Sequence, residues 1–411
     1  MEDYWIKWDD LFIKLHNEKK RKLVFFGRSE DWVPRALRKL KRFNPVICDS
    51  NVRYNKTSFH NINVFHKSKF LKDKNKYFFI ITTGSYNSVI KDFKKNNILA
   101  GKDFVCLPDF YDFAFLDNLR KKRGLIIISS SDQVEKRATR YSAFGGGIFS
   151  LEFNETNYNI QKKLKGSFRQ ICKINKSLYA AVEYSGVIFV FDKKFKIKKK
   201  IKLNVMNMCG ISYSKDKNLF VVTSQTEDKF YLVCNKKNRV VDEIQFSNLS
   251  GLNKSLHHLN DVLLIDNKIY FTFFSASGNW KNGIFDGGLG EVNLKNKQIS
   301  IISSNAIQPH TPRIINGSIA YCDSSNAKVI MGGQSKDLEF NGFIRGLYEK
   351  NDYVFVGQSE TMYLTRLQRL NKTIDITSGI FMVDVNSNCR RFLPTSGICN
   401  LHDFVVEDIF S

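Results

Sequence analysis

The pattern of apolar and polar positions changes character once along the chain. The first 120 residues alternate helical and strand-like stretches. Trp5, Trp8, Leu11, Phe12 and Leu15 fall at helical spacing between residues 4 and 20. Lys22 to Phe26 is a short apolar run ended by Gly27, and a helical pattern covers Glu30 to Arg42. Pro34 falls near the first turn of that helix, where its missing amide is tolerated. Pro45 to Cys48 reads as a strand ended by Asp49, and Tyr77 to Thr82 as a buried strand. Gly84-Ser85 opens a helix to about Asn97, and Asp103 to Leu107 is a last strand.

From residue 124 helical periodicity disappears, and short alternating strands separated by Asn, Gly, Asp and Lys turns take over. Five copies of one pattern follow, starting at Phe168, Cys209, His258, His310 and Phe343. Their period is on the order of 40 residues, that of a four-stranded propeller blade. Two fragments are left over. Gly124 to Ser129, Gly146 to Phe153 and Tyr158 to Leu164 are three strands lacking a first, and Cys399 to Val406 is a first strand lacking the other three. Joined, they complete a sixth blade and remove an exposed sheet edge. The chain therefore reads as an α/β Rossmann-like domain over residues 1–120, a basic linker at Arg120 to Arg123, and an all-β six-bladed propeller over residues 124–411 closed by the C-terminal strand. A seven-bladed ring or a sandwich is the alternative.

In a propeller the first strand of each blade lines the channel. The connections leading into it gather on one face, with the loops between second and third strands. That rule brings Arg169, His257, His258, Asn260, Asp261, His310, Arg313, Arg345, His402 and Asp403 to the channel. Loop acids such as Glu360 follow the second strands. Four of the seven His are in this set, in positions where a buried charge needs a partner. His258, His310, His402 and Asp261 are the candidate acid–base groups. Arg313, Arg345, Asn260, Glu360 and Trp280 are the candidate ligand-binding groups, the two Arg suiting a carboxylate or phosphate. Trp280 lies in a Gly-rich loop, Ser275 to Leu289, where it is placed to stack on a sugar ring, as is Tyr141 in another loop. Three His from separate blades also suit a metal, a weaker alternative that no spacing rule tests. The plain structural alternative is that these groups hydrogen-bond neighbouring blades.

In the first domain, strand, Gly turn, helix, strand and acid open a mononucleotide-binding unit. Asp49 lies 22 positions after Gly27, where a ribose-binding carboxylate is expected. The full glycine fingerprint is missing, because Gly27-Arg28-Ser29-Glu30-Asp31-Trp32 holds a single Gly. Gly84 and Ser85 offer a second phosphate-binding turn at a helix start. Gly27, Asp49, Gly84 and Ser85 are therefore the candidate residues for a nucleotide or nucleotide-sugar. The plain alternative is two tight turns and a strand end.

Composition narrows the partners. The net charge is +24, but Lys is scattered in short runs with no basic helix, so specific nucleic-acid binding is not expected. An anionic ligand remains compatible. The opening Met-Glu-Asp-Tyr-Trp is not a signal peptide, and no apolar run is long enough to span a membrane. The eight Cys form no CxxC pair and sit mostly in apolar runs, as reduced core cysteines of a cytoplasmic protein do.

Three stretches resemble an uncharacterised bacterial six-bladed propeller family, a domain of unknown function. They are Pro309-His310-Thr311-Pro312-Arg313, Gly342 to Leu347 with Phe355 to Ser359, and Gly379 to Asp384. The likeness covers roughly residues 124 to 408; it implies the propeller fold and brings no activity with it. His258-Leu259-Asn260-Asp261 is faintly similar to gluconolactonase-like propellers, which bind a divalent metal in the channel. The first domain resembles small Rossmann-like domains of bacterial surface-sugar biosynthesis proteins. The expectation is a protein that binds or processes an anionic or carbohydrate-like small molecule at the channel mouth. A nucleotide or nucleotide-sugar on the first domain and a role in surface-glycan biosynthesis accompany it. An interaction scaffold without catalysis is the alternative, and a metal-dependent hydrolase or lactonase the third reading.

Overall fold

The computed structural model describes residues 2–18, 20–132, 145–205, 207–247, 255–333, 337–360 and 374–410. The chain divides into two compact units, Met1–Asn118 and Leu119–Ser411.

The first unit is α/β. Its strands are β1 (Lys22–Phe26), β2 (Val46–Asp49), β3 (Thr57–Phe59), β4 (Ile62–His66), β5 (Tyr77–Ile81) and β6 (Phe104–Cys106). Its helices are α1 (Trp8–Asn17), α2 (Trp32–Leu40), α3 (Ser68–Leu71), α4 (Tyr86–Lys95) and α5 (Tyr111–Lys121). The sheet order is β3-β4-β2-β1-β5-β6. All neighbours are parallel except β3 and β4, which form an antiparallel hairpin. Leu23 to Phe26 and Phe78 to Ile81 are buried without alternation, as parallel strands covered on both faces are. The chain steps from β1 outward through β2 and β4, then returns to the other side of β1 to form β5 and β6. Gly27 follows β1 with φ +111°, a region that favours glycine, and a Cβ there would lie 2.6 Å from Thr83 Cβ.

Two features differ from the sequence reading. The β3–β4 hairpin is added at the sheet edge; its strands are only three and five residues long, so they give little periodic signal. The stretch read as a basic linker begins as the last turn of α5, whose Arg120 and Lys121 complement the helix dipole. Arg123 then starts the next strand. Arg391 Nη1 donates to Leu119 O, Arg120 O and Lys122 O at 2.7–2.9 Å, satisfying carbonyls at that helix end.

The second unit is a propeller of six four-stranded antiparallel sheets. Blades 1 to 5 start with the inner strands Phe168–Lys173, Met208–Ser214, Leu259–Ile265, Pro309–Ile315 and Phe343–Lys350. Blade 6 combines Leu401–Phe410 with Arg123–Ser130, Gly147–Phe153 and Tyr158–Lys165. Leu401–Phe410 pairs antiparallel with Arg123–Ser130 and also touches the inner strands of blades 5 and 1. Apolar side chains of adjacent blades fill the gaps between sheets. Ala180, Val182 and Ile188 of blade 1 pack with Ile211, Phe220 and Val222 of blade 2 in one such core.

Candidate functional site

Every inner strand breaks its ladder at the same place. The register shifts between Phe168 and Ile171, Met208 and Ile211, Leu259 and Val262, His310 and Arg313, Ile344 and Leu347, and Leu401 and Asp403. A bulge re-aims side chains and frees backbone groups that must then find partners. The residues at the bulges are Arg169-Gln170, Cys209-Gly210, Asn260-Asp261, Thr311-Pro312, Arg345-Gly346 and His402. They include five of the ten channel candidates, Arg169, Asn260, Asp261, Arg345 and His402.

The freed amides are satisfied from blade to blade. Asp403 Oδ2 accepts from Ile171 N at 3.2 Å, and Gln170 Oε1 from Ile211 N at 2.8 Å. Asp261 Oδ2 accepts from Thr311 N at 2.9 Å, and Thr311 Oγ1 from Gly346 N at 3.0 Å. In each case the acceptor belongs to the preceding blade. Gln170 also reaches Val262 N and Val262 O, both at 3.0 Å. These side chains tie the ring together through its centre.

Asp261 is the hub. Its Oδ1 accepts from His402 Nε2 at 3.2 Å, and its Oδ2 also accepts from Thr311 Oγ1 at 3.0 Å. Burial works against its charge, but the hydrogen bond from His402 and the positive charge of Arg313 hold its carboxyl well below the usual range. Burial pushes His402 down to about 4 against the pull of Asp261, so the ring is neutral and donates through Nε2. Arg313 Nη2 donates to Asp403 Oδ2 at 2.6 Å. Burial nevertheless outweighs Arg313 and pushes the Asp403 carboxyl up to about 7. Among the described residues, His402 Nδ1 and Asp403 Oδ1 are buried without a hydrogen-bond partner.

A second group lies where the inner strands begin. Arg345 Nη2 donates to His310 Nε2 at 3.0 Å, and its Nη1 donates to Asn400 Oδ1. His310 Nδ1 faces Gln308 O and Ser324 Oγ, each at 2.8 Å. Burial and Arg345 lower the His310 pKa well below its ordinary value. An aromatic group adjoins this one. His310 meets Phe274 at 5.6 Å and Phe343 at 5.7 Å between ring centroids, and Arg345 lies 5.3 Å over Phe343. His258 stacks on Phe274 at 4.1 Å and meets Trp280 at 4.6 Å. Trp280 is half-buried and anchored by Nε1 donating to Ser255 O at 3.1 Å.

The sequence-chosen residues thus separate. His310 and Arg345 touch, and His258 and Trp280 adjoin them through Phe274. Asp261 and His402 form the hub, with the His402 ring 6.0 Å from that of His310. Arg313 joins Asp403, and Asn260 is taken up by Cys209 Sγ at 3.3 Å and Pro309 O at 3.1 Å. Glu360 is half-buried, its amide donating to Cys399 O at 2.9 Å. Tyr141 lies outside the described residues. Sequence reasoning passed over Gln170, Thr311, Phe274 and Asn400. The first two share the bulge position, a signal visible once the inner strands are aligned.

Cys209, Asp261 and His402 offer ligand atoms within 4.8 Å of one another. Two features oppose a cation there. Burial pushes the Cys209 thiol up to about 12, and the positive charges of Arg169 and Arg345 act on both Cys209 and His402. The donor set is therefore a poor fit to the metal-dependent reading.

In the first unit, the turns carrying Gly27 and Gly84 meet at the carboxyl ends of β1 and β5. Thr82 Oγ1 donates to Gly27 O at 2.8 Å. A Cβ on Gly84 would meet only Trp32 Nε1, at 3.9 Å. Ser85 is the N-cap of α4, and its side chain does not cap the helix. Asp49 accepts from Arg28 N at 3.2 Å and Asn51 N at 2.7 Å, so its carboxylate shapes the turn after β1.

No family model and no curated protein sequence matches the chain. Several solved structures are similar to it in part. A chain of the nidogen/laminin complex has 8% identity and a TM-score of 0.49, over 70% of this chain and 98% of that one. A protein of unknown function from Bacteroides caccae has 9% identity and a TM-score of 0.47, over 69% and 98%. Streptogramin B lyase has 10% identity and a TM-score of 0.39, over 66% and 88%. None of these likenesses bears on what this chain binds. No helix among the described residues is long and apolar enough to cross a membrane.

The hub makes a prediction about pH. The native Asp403 pKa of about 7 lies above its unfolded value, so its contribution to stability is present below about pH 4 and is lost as pH rises through 7. His402, lowered to about 4, has the opposite sign: its contribution is present above about pH 6.5 and is lost as pH falls through 4. The two slopes oppose each other between about pH 4 and 6.5. Asp403→Asn removes one of them. Its stability relative to wild type is expected to improve as pH rises from about 5 to 8. Urea midpoints across that range check it, and a constant difference would contradict it.

Proposed function

We propose that the chain binds a small anionic, carbohydrate-like molecule where the inner strands of blades 3 to 5 begin. One observation carries this reading: an unbroken series of contacts runs from half-buried Trp280 through Phe274 to His310 and the Arg345 guanidinium. Aromatic faces suit the apolar face of a sugar, and an Arg suits a carboxylate or phosphate. His310 and Asn400 hold the Arg345 fork in place. In this reading Asp261, His402, Arg313 and Asp403 keep the propeller together, and the ligand is met by Trp280, His258, His310 and Arg345. Leu401–Phe410 acts as the ring's closure, and the likeness of Pro309 to Arg313 to the uncharacterised propeller family belongs to the same reading.

Calorimetric titration with a sugar phosphate, the matching neutral sugar and inorganic phosphate tests it. The sugar phosphate is expected to bind best. Trp280→Ala, which alters a loop, should weaken it about tenfold, on the scale of a lost aromatic contact of ~1–2 kcal/mol. Equal binding by wild type and variant would count against the site.

A nucleotide or nucleotide-sugar on a Rossmann-like first unit is a second part of the proposal. It is supported by the two Gly turns meeting beside β1, where the chain reverses its direction across the sheet. Open α/β sheets bind ligands at such points. Surface-glycan biosynthesis fits both halves by resemblance alone.

A further inference from the structure

We propose that Arg169 and Arg345 form a two-arginine clamp in the channel, and that the group they bind is a phosphate monoester. The inference rests on the anionic ligand read above, and it names that ligand's charged group. Arg169 plays no part in that reading, and nothing else in the fold employs it. Among the described residues it makes no hydrogen bond and no ion pair, and its Nε is buried without a partner. Its guanidinium lies 4.9 Å over the Tyr184 ring. A ring contact attracts the cation but supplies no acceptor oxygen for its N–H groups. A half-buried Arg left in this state is rare in a native fold unless a ligand completes it.

The two arginines hold equivalent places. Each is the first residue inside its inner-strand bulge, Arg169 after Phe168 in blade 1 and Arg345 after Ile344 in blade 5. Blade 6 lies between them, because Leu401–Phe410 touches the inner strands of both. Equivalent bulge positions in a ring of blades bring the two side chains to one level of the channel. Their charges act together there, on Cys209 and on His402 between them. Tyr184 follows the second strand of blade 1, and its hydroxyl accepts from Gln225 Nε2, after the second strand of blade 2, at 3.4 Å. Loops of that kind gather at the channel mouth, so the contact with Tyr184 places Arg169 on the mouth side.

Charge selects the bound group. The carboxylates nearby in the chain or in the channel are engaged elsewhere. Asp261 serves His402 and Thr311, Asp403 serves Arg313 and the Ile171 amide, and Glu183 accepts from the Ser167 and Ser185 amides. The charge of Arg169 is therefore unbalanced by any ion pair, in a concavity that strengthens its field. A ligand carboxylate brings a single negative charge, which the Arg345 fork meets alone. A phosphate monoester carries about −1.5 to −2 at pH 7 and has acceptor oxygens enough for two guanidinium groups at once.

Calorimetric titration with glucose-6-phosphate and glucuronate tests the clamp, because the two carry phosphate and carboxylate on the same carbon. Wild type is expected to prefer the phosphate by about tenfold or more. Arg169→Gln should weaken the phosphate alone and bring the two ligands within about threefold of each other. Arg169→Lys keeps the charge and should retain most of the preference. Without ligand, Arg169→Gln is expected to melt no lower than wild type, since it removes a cation that no described residue pairs with. Three results overturn the clamp and leave the anionic ligand beside Trp280 standing: a wild type that binds glucuronate as tightly as the phosphate, an Arg169→Gln chain that keeps the preference, or one that melts several degrees lower. A wild type that binds neither ligand overturns both.

Discussion

Removal of residues 400–410 is expected to abolish cooperative folding of the propeller unit. The strand Leu401–Phe410 is the inner strand of blade 6 and pairs along the whole of Arg123–Ser130. Leu401, Phe404, Val405 and Val406 on it are buried. At about 1.5–3 kcal/mol for each large apolar side chain, their loss rivals the ~5–15 kcal/mol stability of an ordinary domain. The same strand carries His402 and Asp403 into the hub. It also carries Glu407, which ion-pairs with Lys173 at 2.8 Å and accepts from the Tyr179 hydroxyl. Its removal would leave Arg313, Lys173 and the Ile171 amide without these partners, and would expose the edge of Arg123–Ser130 within blade 6. Scanning calorimetry of the truncated chain should show no transition from this unit. A transition within a few degrees of the full chain would mean that the ring does not depend on the strand.

Asp261→Ala is expected to be the most damaging single substitution in the channel. It strips the Thr311 amide and hydroxyl and the His402 ring of one acceptor, all in buried positions. Each buried donor left without its acceptor costs roughly 1–3 kcal/mol. Asp261→Asn keeps a carbonyl oxygen for Thr311 and is expected to cost less. Denaturant midpoints of the two variants, compared with His402→Ala alone, separate lost contacts from lost charge. An Asp261→Ala chain as stable as wild type would show that the hub does not hold the ring.

The blades were legible in the sequence because alternation and turn residues are local signals. Phe168 to Val182, or Cys209 to Tyr213 followed by Asn218 to Thr223, can be read as strands without knowing what they touch. Polar inner-strand residues were legible as anomalies for the same reason. Their partners were not. His402 and Asp261 are separated by 141 residues, and Arg313 and Asp403 by 90, so only the closed arrangement of blades brings them together. Sequence reasoning therefore placed Arg313, Asp261 and His402 in a binding site, and the structure shows each engaged with another blade. The Pro309 to Arg313 stretch divides accordingly. His310 turns toward Arg345 and the aromatic group, Thr311 links blades 3 and 5, and Arg313 pairs with Asp403. The β3–β4 hairpin, with strands of three and five residues, carried little periodicity and was missed.

The most direct measurement is a crystal structure of the chain grown with a sugar phosphate. The account predicts ligand density beside Trp280 and Phe274, with its anionic group toward Arg345 and His310. A saturating ligand bound elsewhere on the propeller, or that region left unchanged by it, would contradict the account.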